Sequence, residues 1–146
     1  MRQLTVLLVE DNARDVRLTQ RAFVRAGLSH DLRVVRDGDE ALAYLQREGA
    51  YNDPTNAPRP DVILLDLNLP RISGHDMLRR LKQDPRFKQV PIIVLTTSGR
   101  PDDVRLAYEA GANAYLLKPV EFARFTEIME QLGRFWLEIV ELPPEV

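Results

Sequence analysis

Short apolar runs alternate with segments of helical period along the whole chain. The runs are strand-sized, consist mostly of Val, Ile and Leu, and lie at 6–9, 32–35, 62–65, 92–95 and 114–117. The first, third and fourth runs are continuously apolar rather than alternating, which is typical of strands buried on both faces of a parallel sheet. The pattern therefore predicts a sheet of five parallel strands that is covered by helices.

Apolar residues between the runs recur three and four positions apart, as on the inward face of a helix. The first four stripes comprise Leu18, Ala22, Phe23 and Ala26; Ala41, Leu42 and Leu45; Met77, Leu78 and Leu81; and Val104, Ala107 and Tyr108. The residues of the last stripe, over 122–139, would lie on one face of a helix for about five turns. Five strand-and-helix repeats with right-handed crossovers predict a doubly wound α/β fold.

Two segments depart from this regular pattern. Residues 49–60 contain Asn, Asp and Pro, and they predict a polar surface loop that is longer than the usual connection. The stripe over 122–139 is longer than one face of a small sheet can cover, so Phe135 and Trp136 are expected to form an apolar patch, which commonly marks an interface. We therefore predict a homodimer formed through the last two helices, the fifth strand and the C-terminal segment 134–146.

Composition limits the domain number and the classes of partner. The 146 residues, 45% of them hydrophobic, suit one ordinary core and predict a single domain over 1–146. With 20 Lys and Arg against 22 Asp and Glu, the net charge of −2 argues against a nucleic-acid or membrane surface. The chain has no cysteine, which excludes disulfides, thiolate metal sites and a cysteine nucleophile. Without a signal peptide or an apolar run of membrane-spanning length, we expect a cytoplasmic protein.

Carboxylates follow two of the predicted strands at their carboxyl ends, where doubly wound sheets place their sites. Glu10 and Asp11 come directly after the first strand, and Asp66 follows the third. If these strands are neighbours, three like charges meet in a partly buried site, which needs a proton or a cation to neutralise it. Because only hard oxygen ligands are near, the expected ion is Mg²⁺, and Mn²⁺ is expected to substitute for it.

A hydroxyl and an ammonium group join the same edge of the sheet. Thr96 ends the fourth strand, and Lys118 follows the fifth. A metal ion and a lysine can neutralise the oxygens of a transferring phosphoryl group, while a threonine donates a hydrogen bond to it. A carboxylate is then the available nucleophile, and the product is an aspartyl phosphate.

At this point the residues resemble a known family. The motif resembles that of response-regulator receiver domains over about residues 4–133, and it comprises Glu10-Asp11, Asp66 to Pro70, Gly74, Thr96, Tyr115 and Lys118-Pro119. The resemblance implies a flavodoxin-like sheet with strand order 2-1-3-4-5 and five helices, followed by a C-terminal extension over 134–146. It also implies a protein that is not an enzyme beyond its own phosphorylation and dephosphorylation.

The resemblance further implies a role for each motif residue. Asp66 would be the phosphoacceptor, and Thr96 and Lys118 would contact the phosphoryl group. The metal ligands would be Asp11, Asp66, the backbone carbonyl of Asn68, and Glu10 through water. Thr96 and Tyr115 would form a conformational switch, and the peptide bond between Lys118 and Pro119 would be cis.

The loop at 49–60 and the ending over 135–143 resemble stand-alone response regulators that partner bacterial phytochrome histidine kinases. This narrower resemblance implies a phytochrome kinase as the phosphoryl donor. Without an effector domain, output would pass through a separate protein or through dimerisation.

Other interpretations of the residues stay open. A Mg²⁺-dependent phosphohydrolase also uses a strand-end Asp nucleophile, but it needs an acid two residues further on, where Asn68 stands. A flavin-binding carrier needs a hydroxyl- and glycine-rich phosphate loop after the first strand, where the sequence has carboxylates. Thr97 and Ser98 fit two roles equally well, as control of water access or as solvated loop residues. His30 and His75 have no partner spaced for metal binding or catalysis.

Overall fold

The computed structural model describes residues 3–28 and 30–144. Within these residues, five parallel strands form one sheet in the order β2-β1-β3-β4-β5. The strands are β1 (Thr5–Val9), β2 (Asp31–Val35), β3 (Val62–Leu65), β4 (Ile92–Thr96) and β5 (Ala114–Leu117). Each one lies within one residue of the run that predicted it. The doubly wound α/β fold, the strand order and the five helices are thus confirmed.

Helices cover both faces of the sheet. They are α1 (Ala13–Arg25), α2 (Gly38–Gln46), α3 (Gly74–Gln83), α4 (Pro101–Glu109) and α5 (Phe122–Arg134). One hydrophobic core lies between the sheet and the pair α1 and α5, and the other lies beneath α2, α3 and α4. Every residue of β1, β3 and β4 is buried between these layers, which explains why their runs are continuously apolar.

The C-terminal stripe differs from its prediction as one continuous helical face. The α-helix ends at Arg134, and a π-helical turn follows over Phe135–Ile139, in which the N–H of Val140 donates to the carbonyl of Phe135 at 2.8 Å. The wider turn rotates the stripe, so that Leu137 is buried while Phe135 and Ile139 are 51% and 69% exposed. The last two residues of the predicted extension lie outside the described residues.

The predicted loop at 49–60 packs on the domain rather than extending into solvent. It begins with a 3₁₀ turn over Gly49–Tyr51, and the ring of Tyr51 meets that of Tyr44 edge-on at 5.2 Å. The buried Tyr44 also donates a hydrogen bond from its hydroxyl to the carbonyl of Pro58 at 2.7 Å. Across the described residues, no helix combines the length and hydropathy needed to cross a membrane.

Candidate functional site

The predicted site residues meet at the carboxyl edge of the sheet. Since β1, β3 and β4 are consecutive in the sheet and β5 adjoins β4, the residues that follow these strands share one rim. The topology thus brings together side chains that are far apart in sequence. Glu10, Asp11, Asp66, Thr96 and Lys118 all lie on this rim.

Glu10, Asp11 and Asp66 form an acidic cluster. One carboxylate oxygen from each residue lies within 4.8 Å of the others. Glu10 and Asp66 are only 1% and 5% exposed, whereas Asp11 faces solvent. Burial, reinforced by the charge of Asp66, raises the pKa of Glu10 to about 8 despite the opposing effect of Lys118. A divalent cation would neutralise the negative charge of these carboxylates, and their hard oxygen donors fit the predicted metal.

Lys118 is the cation that the structure places against these carboxylates. Its side chain is 6% exposed, and its Nζ lies 2.5 Å from Glu10 Oε1 and 3.1 Å from Asp66 Oδ2. Burial alone would lower the pKa of Lys118, but the surrounding carboxylates outweigh it and raise the pKa above its ordinary value. The lysine therefore holds a fixed positive charge beside the predicted acceptor.

A third carboxylate also contacts Lys118, and the sequence did not predict it. Asp15 Oδ2 lies 2.9 Å from Lys118 Nζ, and the carboxylate is largely buried. Asp15 belongs to the first turn of α1, where its N–H donates to the side chain of the N-cap residue Asn12 at 3.1 Å. An acid at this helix position is common for capping and dipole reasons, so the sequence pattern alone does not mark it as part of a site.

Asn68 joins the acceptor to the threonine. Its backbone N–H donates to Asp66 Oδ1 at 3.1 Å, and its side-chain amide donates to Thr96 Oγ1 at 3.3 Å. Thr96 is completely buried at the end of β4. The rim thus combines acidic oxygens, a fixed cation and a hydroxyl within hydrogen-bonding reach, which is a donor and acceptor set suited to a phosphoryl group.

Comparison with known proteins decides the family. The family profile described as response regulator receiver domain matches residues 6–130. The chain belongs to the response-regulator receiver family. Response regulator Rcp1 of Synechocystis sp. is 44% identical over 138 residues, which cover 94% of this chain and 92% of that protein. Receiver domains bind a divalent metal and accept phosphoryl groups from histidine kinases, and this chain carries the corresponding acidic cluster.

Two solved structures extend the similarity to the fold. The phosphorylated cyanobacterial phytochrome response regulator RcpA superimposes with a TM-score of 0.91 at 41% identity, covering 98% of this chain and all 100% of that one. The Mn²⁺-bound form of Rcp1 gives a TM-score of 0.90 at 42% identity, covering 97% and 99% of the two chains. The resemblance to phytochrome response regulators that the sequence predicted is therefore confirmed.

The predicted switch residue Tyr115 belongs to a hydrogen-bonded chain of groups beside the receiver site. Its hydroxyl donates to the backbone carbonyl of Ser98 at 2.7 Å, and Ser98 Oγ donates to Asp103 Oδ2 at 2.5 Å. His75 Nε2 lies 3.4 Å from Asp103 Oδ1. Ser98 is therefore more than a solvated loop residue. His75 has an acidic neighbour in Asp103 that sequence spacing did not reveal, because His75 lies on α3 and Asp103 on α4.

One expectation drawn from the family is wrong. The described residues contain no cis peptide bond, so the bond between Lys118 and Pro119 is trans. The trans form of a bond preceding proline is favoured by about 0.5–1 kcal/mol in the absence of other constraints. Lys118 reaches its three carboxylates with this trans bond in place.

Proposed function

We propose that this chain is a stand-alone response regulator that accepts a phosphoryl group from a histidine kinase onto Asp66. The observation that carries the proposal is the buried Asp66 carboxylate, which lies against Lys118 and within the acidic cluster at the strand ends. Mg²⁺ would be held by Asp11, Asp66, the backbone carbonyl of Asn68 and, through water, Glu10. Mn²⁺ would substitute, as the Mn²⁺-bound form of Rcp1 suggests.

The chain's own residues account for the transfer. An oxygen of Asp66 would form a bond to phosphorus as the bond between phosphorus and the kinase histidine nitrogen breaks. Lys118 and the Thr96 hydroxyl would donate hydrogen bonds to the phosphoryl oxygens, and a bound metal would neutralise their remaining charge. The alternative phosphohydrolase is not favoured, because Asn68 occupies the position of the required acid and its amide cannot protonate a leaving group.

The output is proposed to be a switch in conformation and dimerisation. Thr96 and Tyr115 would report the phosphoryl group, since they lie on the adjacent strands β4 and β5. The homodimer would use α4, β5, α5 and the C-terminal segment. These elements, together with the loop between β5 and α5, carry most of the large exposed hydrophobic side chains. These are Leu106, Tyr108, Leu117, Val120, Phe122, Phe135 and Ile139. Light scattering that shows only monomer, with and without a phosphoryl mimic, would contradict the dimer.

The donor is proposed to be a phytochrome kinase acting in the cytoplasm. The support is the likeness to the phytochrome response regulator RcpA, which covers 98% of this chain. The nearly balanced charge of −2 agrees with a protein partner rather than nucleic acid or membrane. Transfer from a phytochrome kinase is expected to exceed transfer from an unrelated histidine kinase when both carry equal amounts of labelled phosphate.

Intact mass spectrometry tests the central proposal. Wild type incubated with Mg²⁺ and acetyl phosphate is expected to gain one phosphoryl group, and the Asp66→Asn variant none. Asp102→Asn, on the exposed side of α4, provides a matched loss of one carboxylate and should behave as wild type. An unmodified wild type, or an adduct of equal yield on Asp66→Asn, would refute Asp66 as the acceptor.

A further inference from the structure

We propose that Asp15 is a positioning residue that fixes the Lys118 ammonium at the acceptor when its other partners are engaged. This inference rests on the proposed phosphorylation of Asp66 and assigns a role to a residue outside the family motif that the sequence showed.

The ammonium group of Lys118 is fully occupied by carboxylates. It carries three N–H donors, and three carboxylate oxygens lie around it at 2.5 Å (Glu10), 2.9 Å (Asp15) and 3.1 Å (Asp66). A phosphoryl oxygen can therefore gain a hydrogen bond from Lys118 only when one of these contacts is given up. Which contact persists decides where the ammonium points.

Asp15 differs from the other two partners in its surroundings. Glu10 and Asp66 belong to the acidic cluster that suits a metal ion, whereas Asp15 lies outside that cluster. A metal ion in the cluster would compete with Lys118 for Glu10, and phosphorylation would convert the Asp66 carboxylate into an acyl phosphate whose negative charge lies on the phosphoryl oxygens. Neither event involves the Asp15 carboxylate, which lies 2.9 Å from Lys118 Nζ, so Asp15 is the partner that persists.

The backbone beneath Asp15 makes it a firm anchor. Its N–H is held by the Asn12 side chain, and its carbonyl accepts a hydrogen bond from the buried Thr19 hydroxyl at 2.9 Å. Lys118, in contrast, lies just beyond the edge strand β5 and carries a long stem with four rotatable bonds. Anchoring such a side chain from a rigid helix keeps its charge in productive geometry.

The test compares two substitutions at Asp15 with a control substitution at the equivalent position of another helix. Asp15→Ala removes the contact, and Asp15→Asn keeps an oxygen but not the charge. Asp76→Asn is the control, because Asp76 likewise occupies the third position of its helix, α3, and accompanies a side-chain cap, while being half-exposed and paired with Arg79. Asp15 and Asp76 thus have the same relation to helix capping and to the helix dipole, but only Asp15 contacts Lys118.

Two measurements separate this proposal from the one on which it rests. The rate of phosphorylation by acetyl phosphate at saturating Mg²⁺ should fall on the order of tenfold in Asp15→Ala, less in Asp15→Asn, and not in Asp76→Asn. Adding Asp15→Ala to a Lys118→Ala protein should then cause no further loss. Equal rates in wild type and Asp15→Ala, or fully additive losses, would overturn the positioning role.

The second measurement does not depend on phosphorylation. In the metal-free wild type, the Lys118 ammonium protons should exchange slowly enough to give a ¹H–¹⁵N NMR signal, because all three are buried in hydrogen bonds. That signal should be lost or shifted in Asp15→Ala and Asp15→Asn and retained in Asp76→Asn. An unchanged signal in Asp15→Ala overturns the proposal, whether or not Asp66 accepts a phosphoryl group.

Discussion

Gly74 opens α3 and lies against the segment that carries the proposed phosphoacceptor. A Cβ at this position would stand 2.4 Å from the Cα of Leu67 and 2.5 Å from the backbone oxygen of Asp66. The N–H of Gly74 also donates to the carbonyl of Leu67 at 3.0 Å. We predict that Gly74→Ala both destabilises the domain and slows phosphorylation, because the clash is with backbone atoms that cannot rotate away.

The magnitude follows from these distances. Carbon atoms in contact lie about 3.5 Å apart, so relieving the clash needs a relative shift of roughly 1 Å between α3 and the acceptor segment. Overpacking of this kind costs up to about 3 kcal/mol, whereas alanine gains at most about 1 kcal/mol over glycine in a helix. The net loss is about 2 kcal/mol, which corresponds to a fall of roughly 4–8 °C in Tm for a domain of this size.

Thermal unfolding followed by circular dichroism measures the loss, and the acetyl phosphate reaction reports the acceptor geometry. A displacement of about 1 Å can slow a reaction up to about 100-fold. Gly99→Ala is the control, since its Cβ would meet only the flexible end of Leu117 at 3.5 Å, and it should stay within about 0.5 kcal/mol of wild type. Equal values of both Tm and phosphorylation rate in Gly74→Ala and Gly99→Ala would refute the predicted clash.

Three further predictions concern the metal, the loop and the first helix. Because the pKa of Glu10 is raised to about 8, protons compete with Mg²⁺ below that pH. Calorimetric affinity should therefore rise from pH 6 to pH 8, and a slope equally steep in Glu10→Gln would contradict this. Tyr44→Phe leaves the Pro58 carbonyl without its donor and should cost about 1 kcal/mol in urea unfolding, and a null effect would argue against the packed loop. Asn12→Ala should also cost about 1 kcal/mol, well above Glu121→Ala, whose side chain caps nothing.

The sequence was sufficient to predict the sheet because a strand that is buried on both faces has a continuous run of apolar residues. The run from Ile92 to Leu95 has no polar residue, and the structure buries all of it in β4 between two helical layers. The carboxyl-edge rule then brings Asp66 and Lys118 to one rim without knowledge of any contact. For these features, local pattern and global topology carry the same information.

Other features depend on geometry that no local pattern encodes. The contact between Asp15 and Lys118 joins residues 103 positions apart, and it depends on the packing of α1 against α5, the helix that follows Lys118 in the chain. An acid in a first helical turn also has an ordinary explanation. The pairing of His75 with Asp103 likewise depends on how α3 and α4 approach each other. The π-helical turn after Arg134 preserves helical spacing in sequence while it changes which side chains face inward.

The position of β5 at the edge of the sheet has a thermodynamic consequence. This four-residue strand ends at Leu117, which is exposed to solvent, and Lys118 follows it directly beside the acceptor. Any protein that binds this edge tenfold more tightly when Asp66 is phosphorylated must, by linkage, favour the phosphorylated state by the same tenfold factor. A target protein on that surface would thus be a determinant of how much of the regulator is in its active state, as well as a recipient of its output.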